Sequence, residues 1–308
     1  MSAAYHVQHD THYDYASVVA ASQHLAYLRP RELPFQHVRS SRLVIEPEPS
    51  RLLQRTDYFG NAADQFELLR PHAALHVSAT SEVAVSAAHD GLDPRARVPW
   101  EDVRAACRQP GDAATLDAAQ FVYASPYVVL DADIQAFAVR SFRPGRALLD
   151  AVLDLTHRIH EEFTFDPSAT SITTPVARVL AERRGVCQDF AHFEVSCLRS
   201  MGLPARYVSG YLLTDPPPGQ PRLIGADASH AWVSVFCRDV GWVDVDPTND
   251  LLVGERHITL AWGRDFGDVS PLRGVLLGGE EHRLRVEVSV IPVEMPDAVA
   301  PPRPMLER

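Results

Sequence analysis

The sequence predicts an α+β protein, with a β-sandwich-like domain in residues 1–90 followed by a core in which a buried helix packs on an antiparallel sheet. Three observations point there. Period-two alternation runs through the first part of the chain, a 3.6-residue apolar stripe covers Leu148 to Phe163, and alternating strands return after Pro204.

The elements follow in chain order. His9, Thr11, Tyr13 and Tyr15 share one face of a first strand, and the run Leu43 to Ile45 stops at Pro47 and Pro49. Gly60-Asn61, inside "DYFGNAADQF", sits between apolar runs as a hairpin turn does. Leu75, Val77, Ala79, Val83 and Val85 alternate with polar residues as a half-buried strand should. Residues 91–145 read as a connector with short helices. The core is expected over 146–270, and 271–308 as a C-terminal strand with a proline-rich tail. Leu149, Val152, Leu155 and Ile159 lie on one helical stripe, and Pro175 starts a second short helix. Gly185 breaks the chain before a largely apolar helix, Cys187 to about Met201, with a narrow polar stripe. "ARYVSGYLL", "HAWVSVF" and "GWVDVDPT" read as strands, and "TDPPPGQPR" as an irregular loop. Leu284, Val286, Val288 and Val290 alternate cleanly, so this last strand should pair with a distant partner.

Composition narrows the function classes. A net charge of -11 argues against nucleic acid or an anionic membrane as the main partner. All 29 basic residues are Arg, so no lysine amine is available for self-crosslinking. The first residues lack the basic start and apolar run of a secretory signal, and no stretch is long enough to span a bilayer. Cys107, Cys187, Cys197 and Cys237 are scattered, which fits free thiols in a reducing cytoplasm.

Cys187 falls in the first turn of its helix, where free N–H groups and the helix dipole favour a thiolate and could receive an oxyanion. A buried structural cysteine is the competing reading until a base is found. The two strands supply one. A hairpin centred on Arg238 sets residues summing to 476 opposite each other, so His230 faces Asp246. Trp232, Ser234, Trp242 and Asp244 share their face; Ala231, Val233, Val235, Val243 and Val245 form the apolar one. Thiol, imidazole and carboxylate in that order carry the logic of nucleophilic acyl transfer. His6, His9 and His12 recur every third residue, but a strand puts His9 on the opposite face, and no metal site or cofactor is expected.

"RRGVCQDFAHF", "GLPARYVSGYLL", "ASHAWVSVF" and "GWVDVDPTND" resemble the successive blocks of the transglutaminase-like, papain-like-fold superfamily. "HDTHYDYASVVAASQHLAYLRPRE" and "DYFGN" resemble the N-terminal β domain of a bacterial subfamily, and "GRDFGDVSPLRGV" its segment after the core. The resemblance implies Cys187 as nucleophile, His230 as base and then acid, and Asp246 as the orienting carboxylate. Asp189, Tyr211, Trp232, Asp265 and Asp268 match positions that could support the site or line a cleft. The bland alternatives for them are a helix-terminal charge, a core aromatic and loop caps. The implied activity is a cytoplasmic thiol-dependent amide hydrolase, a cysteine peptidase or amidase acting through a thioester on a peptide or amide substrate. Association with ATP-grasp-type ligases is a further expectation by analogy. Acyl transfer to an amine, as in a true transglutaminase, and a non-catalytic binding module are the alternatives. The absence of an acidic calcium loop weighs against the crosslinker.

Overall fold

The computed structural model describes residues 2–87, 98–215 and 229–293. The loop read as "TDPPPGQPR" and the C-terminal tail lie largely or wholly outside them.

Strands β1 (Ser2–Ala26), β2 (Gln36–Glu46), β3 (Arg51–Thr56), β4 (Ala62–Leu68) and β5 (His72–Ser86) open the chain. Helices α1 (Trp100–Arg108), α2 (Ala113–Ala119), α3 (Ala132–Ala138) and α4 (Leu148–Glu162) follow. Next come the short β6 (Thr164–Phe165), α5 (Val176–Glu182), β7 (Arg184–Gly185) and the long α6 (Cys187–Ser200). Then follow β8 (Ala205–Leu212), β9 (Ser229–Cys237), β10 (Gly241–Asp246), β11 (Leu251–Leu252), β12 (His257–Gly263) and α7 (Phe266–Val269). Strands β13 (Leu272–Gly278) and β14 (His282–Val293) end the described chain.

The N-terminal strands form one hydrogen-bonded, curled sheet rather than two separate layers, with β1 as its spine. β4 and β5 lie end to end along one side of β1, and β13 and β14 along the other. β2 and β3 flank β5 and β4 in turn. Pro47 and Pro49 separate β2 from β3 just where β1 shifts register between Asp14 and Val19, so the whole sheet bends at one level. Inside the bend Tyr15, Val19, Phe66, Leu75 and Val77 make a core of their own. The final strand therefore does pair non-locally, Val290 opposite Val7 and Val288 opposite His9. Of its alternating apolar residues Val288 and Val290 are buried, together with Ser289 between them, while Leu284 and Val286 stay half exposed.

The second sheet runs β11-β10-β9-β8-β12. α6 packs on β8 and β9, setting Phe190, Phe193, Val195 and Leu198 against Ala231, Val233, Val235, Val243 and Val245, all buried. The opposite face is also covered. Trp232, Val208, Val253 and Trp262 cluster there, with the Arg206 guanidinium between Trp242 and Trp262. Arg31, from the N-terminal part, lies over Trp262 at 3.5 Å.

The N-terminal part also hydrogen-bonds the free edge of β12. Gln36 donates to the Thr259 carbonyl and accepts its N–H, both at 2.8 Å. Asn61, at the predicted Gly60-Asn61 turn, donates to the Trp262 carbonyl and accepts its N–H. Two side-chain amides thus cap an edge that would otherwise leave backbone groups unpaired.

α6, expected to be largely buried, is so along its narrow polar stripe as well. Everything from Asp189 to Arg199 is inaccessible, including His192, Glu194 and Ser196. Long-range partners pay for it: the Phe266 N–H reaches His192, Thr156 reaches Glu194, and Arg199 donates to the carbonyls of Ala205, Tyr123 and Arg264.

Candidate active site

The entry to α6 is fixed on both sides. β6 and β7 pair in parallel, and the Asp166 N–H binds the Gly185 carbonyl at 2.9 Å. Arg183 takes a left-handed conformation (φ 54°) that ends α5 and turns the chain into β7. Asp189 folds back from the first turn of α6 to accept the Val186 N–H at 2.8 Å and the Thr170 hydroxyl at 2.6 Å. A Cβ on residue 185 would fall 2.7 Å from that carboxylate, so Gly185 is what lets Asp189 close over the turn. The spacing G-V-C-x-D is thereby explained locally: glycine makes room, aspartate caps, and Cys187 sits half-buried at the helix start among first-turn N–H groups.

His230 and Asp246 are brought together, but not by the expected register. The β9–β10 pairs sum to 478, as in Trp242 opposite Phe236 and Val245 opposite Val233. The turn therefore centres on Asp239, not Arg238. The Val240 N–H closes on the Cys237 carbonyl, and the three-residue connection 238–240 is followed by Gly241, which opens β10 with φ +82°. A two-residue slip preserves side-chain parity, so His230 and Asp246 remain on one face and meet diagonally, Nε2 to Oδ2 at 2.7 Å. The imidazole also neighbours Cys187, whose thiol favours its protonated form. With Nε2 committed to Asp246, Nδ1 is the nitrogen left for the thiol.

Electrostatics around the pair are set by these contacts. Burial by itself would push the His230 imidazole down. Hydrogen bonds to Asp246 and Cys187, and their charges, outweigh it and raise the pKa to about 10. Asp246 is fully buried, which would favour its neutral form. Hydrogen bonds from His230 and His257 hold it well below the usual carboxylate range instead. The Thr248 and Asn249 N–H groups bind its Oδ1, and the Asn249 amide its Oδ2 at 2.7 Å. The other thiols differ: burial pushes Cys107 up to about 11, Cys237 to about 12 and Cys197 well above its ordinary value.

The remaining candidates have distinct placements. Trp232 is fully buried, its ring 6.1 Å from His230 and 5.2 Å from His257, and its Nε1 donates to Asp244. Tyr211 does not open on the site: it is 1% exposed, and its hydroxyl pairs with His9 of β1 at 2.9 Å. Asp265 is a cap, accepting the Gly267 N–H and, through its other oxygen, the Tyr127 N–H. It positions Tyr127, which stacks on His192, which stacks in turn on Tyr207. Asp268 is held by the Arg264 guanidinium through both oxygens.

His257 and Asn249 complete the surroundings of Asp246 and escaped the sequence reading. Asn249 stands in the "DPTND" run, where a turn explains it fully; His257 lies on a later strand whose partner has to be known first. Among the described residues two groups have donor atoms close enough to hold a metal ion. One is His230, Asp246 and His257; the other, on β1 and β5, is Asp10, His12 and His76. In the second, the His76 ring already contacts Asp10 at 3.0 Å and Glu46 at 3.7 Å. No helix among the described residues is long and apolar enough to cross a membrane.

Comparison with known proteins bears on this arrangement. Residues 5–84 match the bacterial transglutaminase-like N-terminal region, and residues 135–247 the transglutaminase-like superfamily. An uncharacterized protein of Mycobacterium tuberculosis is 42% identical over 298 residues, 94% of this chain and 93% of its own. A protein-glutamine gamma-glutamyltransferase of Pseudomonas aeruginosa is 33% identical over 104 residues, 33% of this chain and 16% of that one. A solved structure from Cytophaga hutchinsonii, provisionally classed as a cysteine protease, superposes with a TM-score of 0.72 at 19% identity, covering 96% of this chain and 93% of its own. Both family regions, the fold and a close full-length relative agree: the chain belongs to the transglutaminase-like superfamily and carries the bacterial N-terminal region of that group.

Proposed function

We propose that the protein is a thiol-dependent amide hydrolase working through Cys187, His230 and Asp246. The observation that carries it is the arrangement itself: a thiol at a helix start, beside an imidazole whose Nε2 lies 2.7 Å from a buried carboxylate. His230 takes the Cys187 proton on Nδ1, and the thiolate attacks an amide carbonyl. First-turn N–H groups of α6 receive the developing oxyanion. Collapse of the tetrahedral adduct breaks the C–N bond as His230 returns the proton to the leaving amine, leaving a thioester. Water, deprotonated by the same imidazole, then releases the acid. Asp246 keeps Nδ1 directed at the thiol and stabilises the imidazolium. The four free cysteines fit a reducing, cytoplasmic setting.

A second reading is acyl transfer, with an amine in place of water. The stretch resembling the Pseudomonas glutamyltransferase favours it; the lack of lysine removes one self-acceptor.

Iodoacetamide titration from about pH 5 to 9 tests the thiol reading. Cys187 should alkylate faster than Cys107, Cys197 and Cys237, and the reactivity should vanish in Cys187→Ala and collapse in His230→Ala. Alkylation of Cys187 no faster than that of buried Cys107 or Cys197 would sink it. A peptide-amide assay with an added primary amine separates the two acceptors: amine adduct exceeding free acid favours transfer.

A further inference from the structure

His257 opens β12 opposite Leu212, on the sheet face that carries His230, Trp232 and Asp246. Its side chain is almost wholly inaccessible, and its Nε2 lies 3.1 Å from Asp246 Oδ2, the oxygen that also binds His230. We propose that His257 is a positioning residue, a second imidazole donor that shares the charge of Asp246 and so limits how tightly that carboxylate holds the His230 proton. The inference rests on the thiol reading above.

The tautomer follows from chemistry. An ionised Asp246 only accepts, so His257 must present Nε2–H. Its Nδ1 is buried with no hydrogen-bond partner among the described residues. A bare lone pair there costs less than a stranded N–H, so the pocket selects the neutral ring with its proton on Nε2. Metal ligation through both Nε2 atoms would reverse this and strand an N–H at Nδ1. The T-shaped contact with Trp232 and the backbone of β12 fix the ring's direction.

The consequence concerns His230. A carboxylate with several donors offers each of them less charge. Without His257, Asp246 would bind the imidazolium of His230 more tightly, making it a poorer acid when the amine leaves. Among the described residues, the other charged or titratable groups that interact with this cluster are Cys187, with His230, and Glu194 of α6, with Asp246. Arg256 adjoins His257 in the chain but directs its guanidinium to the Leu213 carbonyl and Asp215. None of these takes the place of His257 on Asp246.

Ring-nitrogen NMR of the intact protein, His257→Gln and His257→Leu, with Cys187 alkylation followed in parallel, tests the proposal. Wild-type His257 should be protonated on Nε2 and bare on Nδ1. His257→Leu should raise the pH at which His230 loses its proton by about half a unit or more. His257→Gln, which keeps an N–H donor, should stay within about 0.2 unit of wild type. An Nδ1-protonated His257, an unmoved His230 in the leucine variant, or an equal shift in both variants would overturn it. Co-purifying zinc whose chelation alters the His257 resonances would do so too. If the leucine variant does not fold, the wild-type tautomer and the glutamine variant still decide. A wild-type Cys187 that is slow to alkylate defeats the thiol reading instead; a fast Cys187 with an unmoved His230 defeats only this one.

Discussion

Asp246 and Glu194 are both completely buried carboxylates in the same core, and they titrate in opposite directions. Among the described residues Asp246 accepts five hydrogen bonds, from His230, His257, Asn249 twice and Thr248. Glu194 has one among them, from Thr156 at 2.7 Å, and its second oxygen has no hydrogen-bond partner among the described residues. Burial is common to both, so burial does not decide their charge. The supply of donors does: with enough of them the anion survives without water, and with one it is pushed to about 8 and stays a neutral acid at neutral pH. The nearby charge of Asp246 adds to the rise at Glu194.

Removing the charge of Asp246 breaks the comparison from the anionic side and should have the largest effect. Asp246→Asn keeps the size but no longer stabilises the imidazolium, and its amide N–H favours the wrong His230 tautomer. Turnover should fall by about 10³–10⁴, with the fold retained. Kinetics on any amide that the wild type cleaves, beside a thermal melt, checks both parts. A loss of less than about tenfold would show that the carboxylate does not orient the base.

This contrast also marks how far the residues could be read without coordinates. His230 and Asp246 were legible because a strand repeats every two residues. A turn misplaced by one residue slips the pairing by two and leaves both side chains on the same face. Glu194 was not legible. In "FAHFEVSCLRS" a glutamate between apolar residues reads as the solvated edge of a helix, and only the packing of α4 supplies Thr156 to bury it. His257 failed for the same reason, since its partner lies on another strand. Edge contacts such as Gln36 on Thr259 join residues more than two hundred positions apart, and no local pattern encodes them. Motifs built within one turn, like Gly185 with Asp189, could be quoted from the sequence, although the mutual fit that explains them could not.

Glu194→Gln breaks the comparison from the neutral side. The acid's pKa rises from 4.5 to about 8 on folding, so the unfolded chain ionises first. Stability from the neutral form is complete below about pH 4.5 and is lost as pH rises toward 8, by as much as about 3 kcal/mol at pH 7. Glutamine cannot ionise. The variant should therefore show a flatter stability profile between about pH 5 and 8 and gain on the wild type at the upper end. Denaturant titrations at both pH values measure it. A wild type equally stable at the two would mean that Glu194 finds donors beyond Thr156.

Thr156→Val sharpens the comparison with the smallest change. It is nearly isosteric and removes the Thr156 donor from Glu194, while leaving the donors on Asp246 in place. The neutral acid loses a hydrogen bond worth about 1 kcal/mol, and the ionised form loses more, since hydrogen bonds to charged groups are the stronger ones. The Glu194 pKa should thus climb further, and the variant should be destabilised more at pH 8 than at pH 5, by about 1 kcal/mol in the difference. Cys187 alkylation should not change, because nothing around Asp246 has been touched. An equal loss at both pH values would indicate that Thr156 acts there through packing alone. A shift in Cys187 reactivity would instead show that the two carboxylates are coupled strongly enough for the charge on one to govern the other.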